Sequence, residues 1–298
     1  MVKIIQWLGR NRLIAVLLGI AVYFSIVTFH DEITTVAIRM RNEFGRENYN
    51  EFLAYGFLVI FLIFIFIVFY RSFRSPQKYL NLVLSALIAV LLVLSFRYLM
   101  VYNIEAIHFV EYMLVAMLLF PVLRSYGETV FWVTILGILD EIFQYLFLTP
   151  NFEYFDFNDI TLNLLGAGAG VVMVFILLKN SFEIRRIKWN RSPAILTGSG
   201  LLIIFFILLL SGKMTINPSD APGSENWFSL NRAIMPDEFW TEAYPGRRFH
   251  ILRPIEGIIL MFVLFAFFYT LDLIRGHPQK FVSSACPNRT RINADTAD

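Results

Sequence analysis

Cysteine and charged residues are scarce in this 298-residue chain, and each scarcity excludes a class of protein. Cys286 is the single cysteine, so the chain cannot form an internal disulfide or a cysteine-rich metal site. Charged residues make up 16% of the sequence, whereas soluble domains average about 25%. Glycine-rich phosphate loops and nucleic-acid-binding motifs are absent from the sequence. The sequence therefore predicts neither a soluble domain nor a disulfide-stabilised one, and no nucleic acid is expected as a partner.

Long apolar runs account for most of what the sequence does contain. Hydrophobic residues make up 57% of the chain, and the mean hydropathy is +0.63. A helix that crosses a bilayer needs about 20 mainly apolar residues. The predicted fold is an all-α, polytopic membrane bundle of about eight transmembrane helices. The runs lie at 13–29, 52–70, 79–97, 105–122, 129–148, 159–178, 194–211 and 255–274.

The placement of Lys and Arg predicts the orientation of these spans, because cytoplasmic loops carry an excess of basic residues. Basic residues concentrate before the first span, after the second, after the sixth and in the C-terminal tail, whereas the 149–158 loop has none. This alternation predicts a multi-pass protein of the cell inner (plasma) membrane with both termini in the cytoplasm. The basic flank and long apolar core of the first span predict a retained signal anchor.

Two loops on the predicted outer side have features of their own. In 30–51, apolar residues recur at helical spacing among charges, which predicts a helix lying on the membrane surface. Loop 212–254 is rich in aromatic residues and becomes basic toward its end. It fits either an interfacial loop anchored by aromatic side chains or a flap that covers a polar site and contacts lipid headgroups. The last twenty residues are predicted to be a disordered tail.

Ionisable and amide side chains lie within or at the ends of three consecutive spans. A charge at the centre of a membrane helix costs about 3 kcal/mol, so such residues indicate a functional site. The fourth span begins on the predicted outer side, the fifth ends there, and the sixth begins there again. The polar residues therefore share one depth, near the outer leaflet. They are Glu105, His108, Glu111, Asp140, Glu141, Gln144, Asp159 and Asn163.

Helical spacing places the polar residues of the fourth span on one face. Glu105, His108 and Tyr112 follow the spacing i, i+3, i+7 and share a stripe. Glu111 lies at the edge of that stripe, and we expect it to point into the bundle because facing lipid would be costly.

Spacing of four residues recurs on the next two spans. Asp140 and Gln144 share a face of the fifth span. On the sixth span a polar stripe continues into small residues, which let a neighbouring backbone approach closely. We therefore expect a tight helix contact beneath an outward-facing cavity. The members of that sixth-span stripe are Asp159, Asn163, Gly166 and Gly170.

The three spans together resemble the VanZ-like family of bacterial membrane proteins. The family pattern is an acidic-x-x-His-x-x-x-Tyr helix, a DE-x-x-Q helix and a D-x-x-x-N-x-x-G helix, in that order. The resemblance implies a four-span VanZ-like core at 79–180, between an N-terminal two-span segment at 1–78 and a C-terminal two-span segment at 181–298. The matching residues are Glu105-x-x-His108-Phe109-x-x-Tyr112, Asp140-Glu141-x-x-Gln144 and Asp159-x-x-x-Asn163-x-x-Gly166.

Two positions depart from the family pattern. The family usually has Asp where this chain has Glu105. It usually has a Pro-Gly-Arg-like turn after the glutamine, whereas this chain keeps Pro150 but has no arginine between Gln144 and Asp159. If that arginine binds an anionic group in relatives, Arg97 or an outer-loop arginine would replace it here.

The resemblance implies a role in the cell envelope, since the family is named after an accessory protein of glycopeptide resistance that lowers susceptibility to teicoplanin. The predicted function is an outward-facing polar site that engages a lipid headgroup, a lipid-linked envelope precursor or a glycopeptide antibiotic. A membrane lipid or lipid-linked precursor is the expected partner. The sequence does not specify a cofactor or an oligomeric state.

The residues leave the chemistry of the site open among several interpretations. One is acid–base or nucleophilic work on an envelope lipid or glycan, which needs carboxylates and an imidazole shielded from water. The others are a hard divalent ion held by oxygens and one imidazole, proton-coupled transport, and a scaffold joined by acid–amide hydrogen bonds. The candidate catalytic residues are His108, Glu105, Asp140, Glu141 and Asp159, and the candidate binding residues are Tyr112, Gln144 and Asn163.

Overall fold

The computed structural model describes residues 2–148, 155–178, 184–185, 191–216, 228–230, 238–244 and 246–276. Eight of the helices in these ranges are long and apolar enough to cross a membrane, which confirms the predicted all-α bundle of about eight spans. Cys286, the predicted tail and the parts 217–227, 231–237 and 245 of loop 212–254 lie outside the described residues. The helices are α1 Val2–Arg10, α2 Arg12–Phe44, α3 Arg46–Phe73, α4 Lys78–Tyr98, α5 Ile107–Leu123, α6 Tyr126–Phe143, α7 Phe157–Leu178, α8 Pro193–Leu210 and α9 Pro254–Gly276.

Helix α7 forms the centre of the bundle. Every residue of its apolar window is buried by protein. Helices α3, α4, α5, α6 and α9 all pack against it, whereas α8 packs against α6 at the periphery. Since α7 carries the Asp159 stripe, the central helix is also the one that presents part of the predicted site.

The glycines of α7 produce the close helix contact that their spacing predicts. A Cβ atom on Gly166 would lie 2.8 Å from the carbonyl oxygen of Phe109, and one on Gly170 would lie 2.5 Å from that of Met113. Both neighbours are backbone atoms of α5, so neither can rotate away as a side chain would. The contact therefore holds α5 and its His108 at a fixed position against α7.

Helix α2 corrects the prediction for 30–51. The prediction of a separate helix lying on the membrane surface is wrong, because 30–44 continues the first span without a break. No proline or glycine interrupts this stretch, and the chain turns only at Gly45, whose φ is +80°. At 33 residues α2 is about 50 Å long, well beyond the 30 Å of hydrocarbon. Its apolar face, including Ile33 and Ala37, covers a cavity between the helices.

Short strands and turns organise the described part of loop 212–254. Strand β1, Met214–Thr215, pairs in parallel with β2, Phe228–Ser229. Strand β3, Thr241–Tyr244, pairs antiparallel with β4, Arg247–Phe249. The β3–β4 hairpin lies against the end of α4, since the amide of His250 donates to the carbonyl oxygen of Tyr98 at 2.6 Å.

One buried amide, Asn158 at the start of α7, joins that hairpin to the bundle. Its Nδ2 donates to the carbonyl oxygens of Leu99, at 2.7 Å, and His250, at 2.9 Å. Its Oδ1 accepts from the amide of Leu252 at 2.7 Å. Sequence analysis did not single out this residue, because nothing local distinguishes it from a solvated asparagine at a helix start.

Replacing Asn158 by alanine is expected to loosen the attachment of the hairpin, and of the segment that follows it, to the start of α7. Three hydrogen bonds are lost and their partly buried partners are left unsatisfied, at a cost of about 1–3 kcal/mol. Hydrogen–deuterium exchange should show faster exchange at the Leu252 amide. Asn48→Ala is the matched control, since Asn48 donates to the carbonyl oxygen of Phe44 one turn away on an exposed surface. Unchanged protection at Leu252 would contradict the anchoring role.

Candidate functional site

The first predicted site residue, Glu105, has a local structural role as well as a place in the site. It lies in the 3₁₀ turn Asn103–Ala106 that leads into α5. Its carboxylate accepts from the amides of Val101, at 2.9 Å, and Tyr102, at 3.1 Å. Because these bonds fix the turn, Glu105 sets the position at which α5 begins and from which His108 projects.

His108 lies between two carboxylates. Its side chain is about 5% exposed, and Nδ1 is 3.7 Å from Glu111 Oε2 while Nε2 is 4.0 Å from Asp159 Oδ2. Neither separation is a hydrogen bond, and Nδ1 has no hydrogen-bond partner among the described residues. The predicted convergence of the α5 and α7 residues is therefore present, with space left between the groups.

The end of α6 contributes the second part of the site. Tyr112 donates its hydroxyl proton to Asp140 Oδ2 at 3.0 Å, which joins α5 to α6 through a fully buried pair. Gln144 Nε2 donates to Glu141 Oε1 at 3.4 Å. Beyond Phe143 the helix widens into a π-helical turn at Gln144–Leu148. This turn carries Gln144 and Tyr145 to the same space that His108 faces.

These groups surround one cavity of about 420 Å³. Six of the predicted polar residues line it, from the turn before α5 and from α5, α6 and α7. Asp140 and Tyr112 lie behind the wall, and Asn163 packs against Gly137 in the contact between α6 and α7. The predicted residues that line the cavity are Glu105, His108, Glu111, Glu141, Gln144 and Asp159.

Sequence analysis missed the wall that α2 provides. The ring of His30 stacks on that of His108, with centroids 6.2 Å apart and planes at 25°. Thr34 and Arg41 of the same helix also line the cavity. The HDE sequence at 30–32 resembles the start of an exposed loop, and only the packing of α2 on α5 shows that His30 belongs to the site.

The arginines expected to replace the family's arginine occupy different places. Arg41 lines the cavity, and its guanidinium lies 5.4 Å from the centre of the Tyr102 ring. Arg97 lies over Tyr98 and does not line the cavity. Arg247 donates to the carbonyl oxygen of Phe96 at 2.9 Å and so attaches the β3–β4 hairpin to α4. Arg41 is therefore the arginine placed to contact a ligand in this cavity.

The hairpin also reaches the site, because Phe249 at the end of β4 lines the cavity. This position agrees with the flap interpretation of loop 212–254, although lipid contact stays a prediction. Within the described ranges, no three His, Cys, Asp or Glu side chains are arranged to hold a metal ion. The walls formed by α5, α6 and α7 instead carry several hydrogen-bond acceptors. They face α2, whose cavity-lining residues are mostly apolar.

A second polar cluster, absent from the sequence predictions, joins three helices at the other end of α6. Glu128 is 2% exposed and accepts from the hydroxyls of Ser192 and Tyr269, the latter at 3.3 Å. It also accepts from the indole of Trp132 at 3.0 Å and the amide of Ala194 at 3.3 Å. Helices α6, α8 and α9 therefore meet at one carboxyl group.

Asp272 of α9 extends this cluster to the first turn of α6. Its carboxylate accepts from the Ser125 hydroxyl at 2.7 Å and from the amides of Tyr126 and Gly127 at 2.7 and 2.9 Å. A carboxylate at a helix N-terminus satisfies free amides and interacts favourably with the helix dipole. The Ser125-x-x-Glu128 spacing is a capping pattern that could have located this helix start.

Comparison with known families adds one finding to this geometry. The VanZ/LLP1 family model matches residues 52–178. The match confirms the resemblance that the three motifs indicate, and it extends toward the N-terminus to include most of α3. It ends with α7, so α2 and His30 lie outside it. No curated protein and no solved structure matches the chain.

Proposed function

Since residues 52–178 match the VanZ/LLP1 family, we propose that this multi-pass membrane protein recognises an amphiphile of the bacterial cell envelope. The ligand is a lipid headgroup, a lipid-linked envelope precursor or a glycopeptide antibiotic of the teicoplanin type. The protein lies in the plasma membrane with both termini in the cytoplasm, as the basic loops predict. In that orientation the cavity opens toward the outer face of the membrane.

The observation that carries this proposal is the two-sided cavity. Its volume of about 420 Å³ falls within the range of small-molecule sites, roughly 300–1,000 Å³. One side is polar and is built by α5, α6 and α7. The other is formed largely by α2 and includes Ile26, Ile33 and Ile38. A polar group attached to an apolar body satisfies both walls, whereas a wholly polar solute satisfies only one.

Variants of two cavity residues test the proposal. The full chain, as wild type, His108→Ala and Glu141→Gln, is expressed in a teicoplanin-susceptible bacterium, and the inhibitory concentration is measured. We expect wild type to raise that concentration and both variants to lose most of the increase, because His108→Ala removes the imidazole and Glu141→Gln removes the carboxyl group from the cavity wall. Glu51→Gln, on the exposed start of α3, is the matched control and should behave as wild type.

Thermal unfolding of the purified variants separates loss of function from loss of fold. A cavity variant that melts like wild type yet loses protection supports the proposal. Variants that melt like wild type and keep full protection would contradict it, because the cavity would then have no part in the phenotype.

The spacing around His108 favours a second candidate, an intramembrane hydrolase or transferase. An imidazole within 4.0 Å of two carboxylates, in a site shielded from water, is suited to general acid–base work. The two candidates differ in what happens to the ligand. Mass spectrometry of a lipid extract incubated with purified protein would show a product for an enzyme, and unchanged lipid for a binding protein.

A further inference from the structure

The cavity wall has far more acidic than basic groups. Five carboxyl groups line it, against one guanidinium, that of Arg41. The acidic residues are Glu105, Glu111, Glu141, Asp156 and Asp159.

Arg41 lies too far along α2 to neutralise the acids around His108. It follows His30, which stacks on His108, by eleven residues, or about 16 Å of helix rise. Its guanidinium is placed over the Tyr102 ring, beside the turn that precedes α5. Glu111, whose Oε2 is 3.7 Å from His108 Nδ1, therefore faces a part of the cavity in which the described residues supply no permanent positive charge.

That part of the cavity also contains several hydrogen-bond acceptors. His108 is buried, lines the cavity, and leaves Nδ1 without a hydrogen-bond partner among the described residues. The carboxyl groups of Glu111 and Glu141 line the same space. A bound group that satisfies this wall has to supply several N–H or O–H donors, and a positive charge as well.

We propose that the polar part of the cavity binds the protonated primary amine of an amphiphile, placing the ammonium between His108, Glu111 and Glu141. This inference rests on the proposed function and specifies the chemical class of its ligand. An ammonium group offers three N–H donors and one positive charge, which match an imidazole nitrogen and two carboxylates. The apolar face of α2, through Ile33 and Ile38, then contacts the body of the same molecule.

An anionic headgroup does not match this site. A phosphate or carboxylate beside Glu111 and Glu141 would add like charge to a wall already in excess of acid. A quaternary ammonium supplies the charge but no N–H donor, so the unpaired His108 nitrogen and the carboxylates would stay unsatisfied. The inference therefore ranks three common headgroups, with ethanolamine above choline and choline above glycerol.

Native mass spectrometry of the purified full chain tests this ranking. The probes are phosphatidylethanolamine, phosphatidylcholine and phosphatidylglycerol with identical acyl chains, and the soluble amine hexylamine. We expect phosphatidylethanolamine to bind about tenfold more tightly than phosphatidylcholine, the factor that about 1.4 kcal/mol gives. Glu111→Gln and Glu141→Gln should each reduce that ratio toward one, because each weakens phosphatidylethanolamine binding more than phosphatidylcholine binding.

Two comparisons keep the result interpretable. Both glutamine variants preserve side-chain shape, and their melting temperatures, compared with wild type, show whether the fold is intact. Glu51→Gln removes an acid at the exposed start of α3 and should keep the wild-type ratio. Binding of hexylamine without binding of phosphatidylethanolamine would support the amine site and assign it to a ligand that is not a phospholipid.

The possible failures are distinguishable. Equal binding of the three lipids, or a preference for phosphatidylglycerol, would overturn the amine inference while leaving headgroup recognition intact. A preference for phosphatidylethanolamine that survives both glutamine substitutions would overturn the placement of the amine. Absence of binding by every probe would overturn the inference, and the antibiotic-susceptibility experiment would still decide the proposed function.

Discussion

Replacing Glu128 by alanine is expected to lower the free energy of unfolding by about 3 kcal/mol, one of the two largest effects that the structure predicts. The substitution removes the acceptor shared by the hydroxyls of Ser192 and Tyr269, the Trp132 indole and the Ala194 amide. These donors lie where α6, α8 and α9 meet, with little access to water. A buried donor without a partner costs about 1–3 kcal/mol, and several are left here.

Titration of the purified protein with SDS, followed by tryptophan fluorescence, measures this loss. Glu128→Gln is the matched variant, because its amide oxygen still accepts hydrogen bonds, and it should lose clearly less stability than the alanine variant. Glu51→Ala, on an exposed surface of α3, should change stability by less than about 0.5 kcal/mol. If Glu128→Ala lowered the stability no more than Glu51→Ala does, the carboxyl group of Glu128 would not be what holds α6, α8 and α9 together.

The Gly170→Val variant is expected to be at least as destabilising, for a steric reason. A Cβ atom added at Gly170 would lie 2.5 Å from the carbonyl oxygen of Met113 and 3.1 Å from the Cβ of Ala116. Valine adds two methyl groups, so α5 has to move away from α7. Overpacking of this kind costs about 1–3 kcal/mol and sometimes more, and a displaced backbone belongs to the severe end.

Displacement of α5 would also move His108, so the variant has a second readout. We expect Gly170→Val to weaken lipid binding at the cavity as well as to lower the unfolding midpoint in SDS. Gly56→Val is the matched control, because a Cβ atom on Gly56 of α3 would meet nothing within 4 Å. Similar stability of the two valine variants would show that α5 and α7 do not need their close contact.

Local sequence was sufficient to predict the helices. The eight apolar runs correspond to the eight long helices, because hydrophobicity over about 20 residues is a property of the segment alone. The surface helix predicted at 30–51 failed for a related reason. Amphipathic periodicity identified a helix with an apolar face, yet it could not show that this face packs over a cavity rather than on a bilayer.

The candidate site was predictable in part. The three motifs indicated the end of the bundle at which polar residues gather, and Glu105, His108 and Glu141 line the cavity there. His30 was not predictable, since it lies outside the family match and its relevance depends on the packing of α2 against α5. Asn158 likewise appeared ordinary, because its partners are 59 to 94 residues away along the chain.

By itself, the sequence determined the fold class, the number of spans and the family of the central segment, because hydrophobic runs and motif spacings are local properties. Only the tertiary structure decided which polar residues share a cavity, that Asp140 pairs with Tyr112 behind its wall, and that Glu128 joins three helices. The physical reason is that these relations depend on which helix faces meet. Close packing around the glycines of α7 determines those faces, through contacts between residues far apart in the chain.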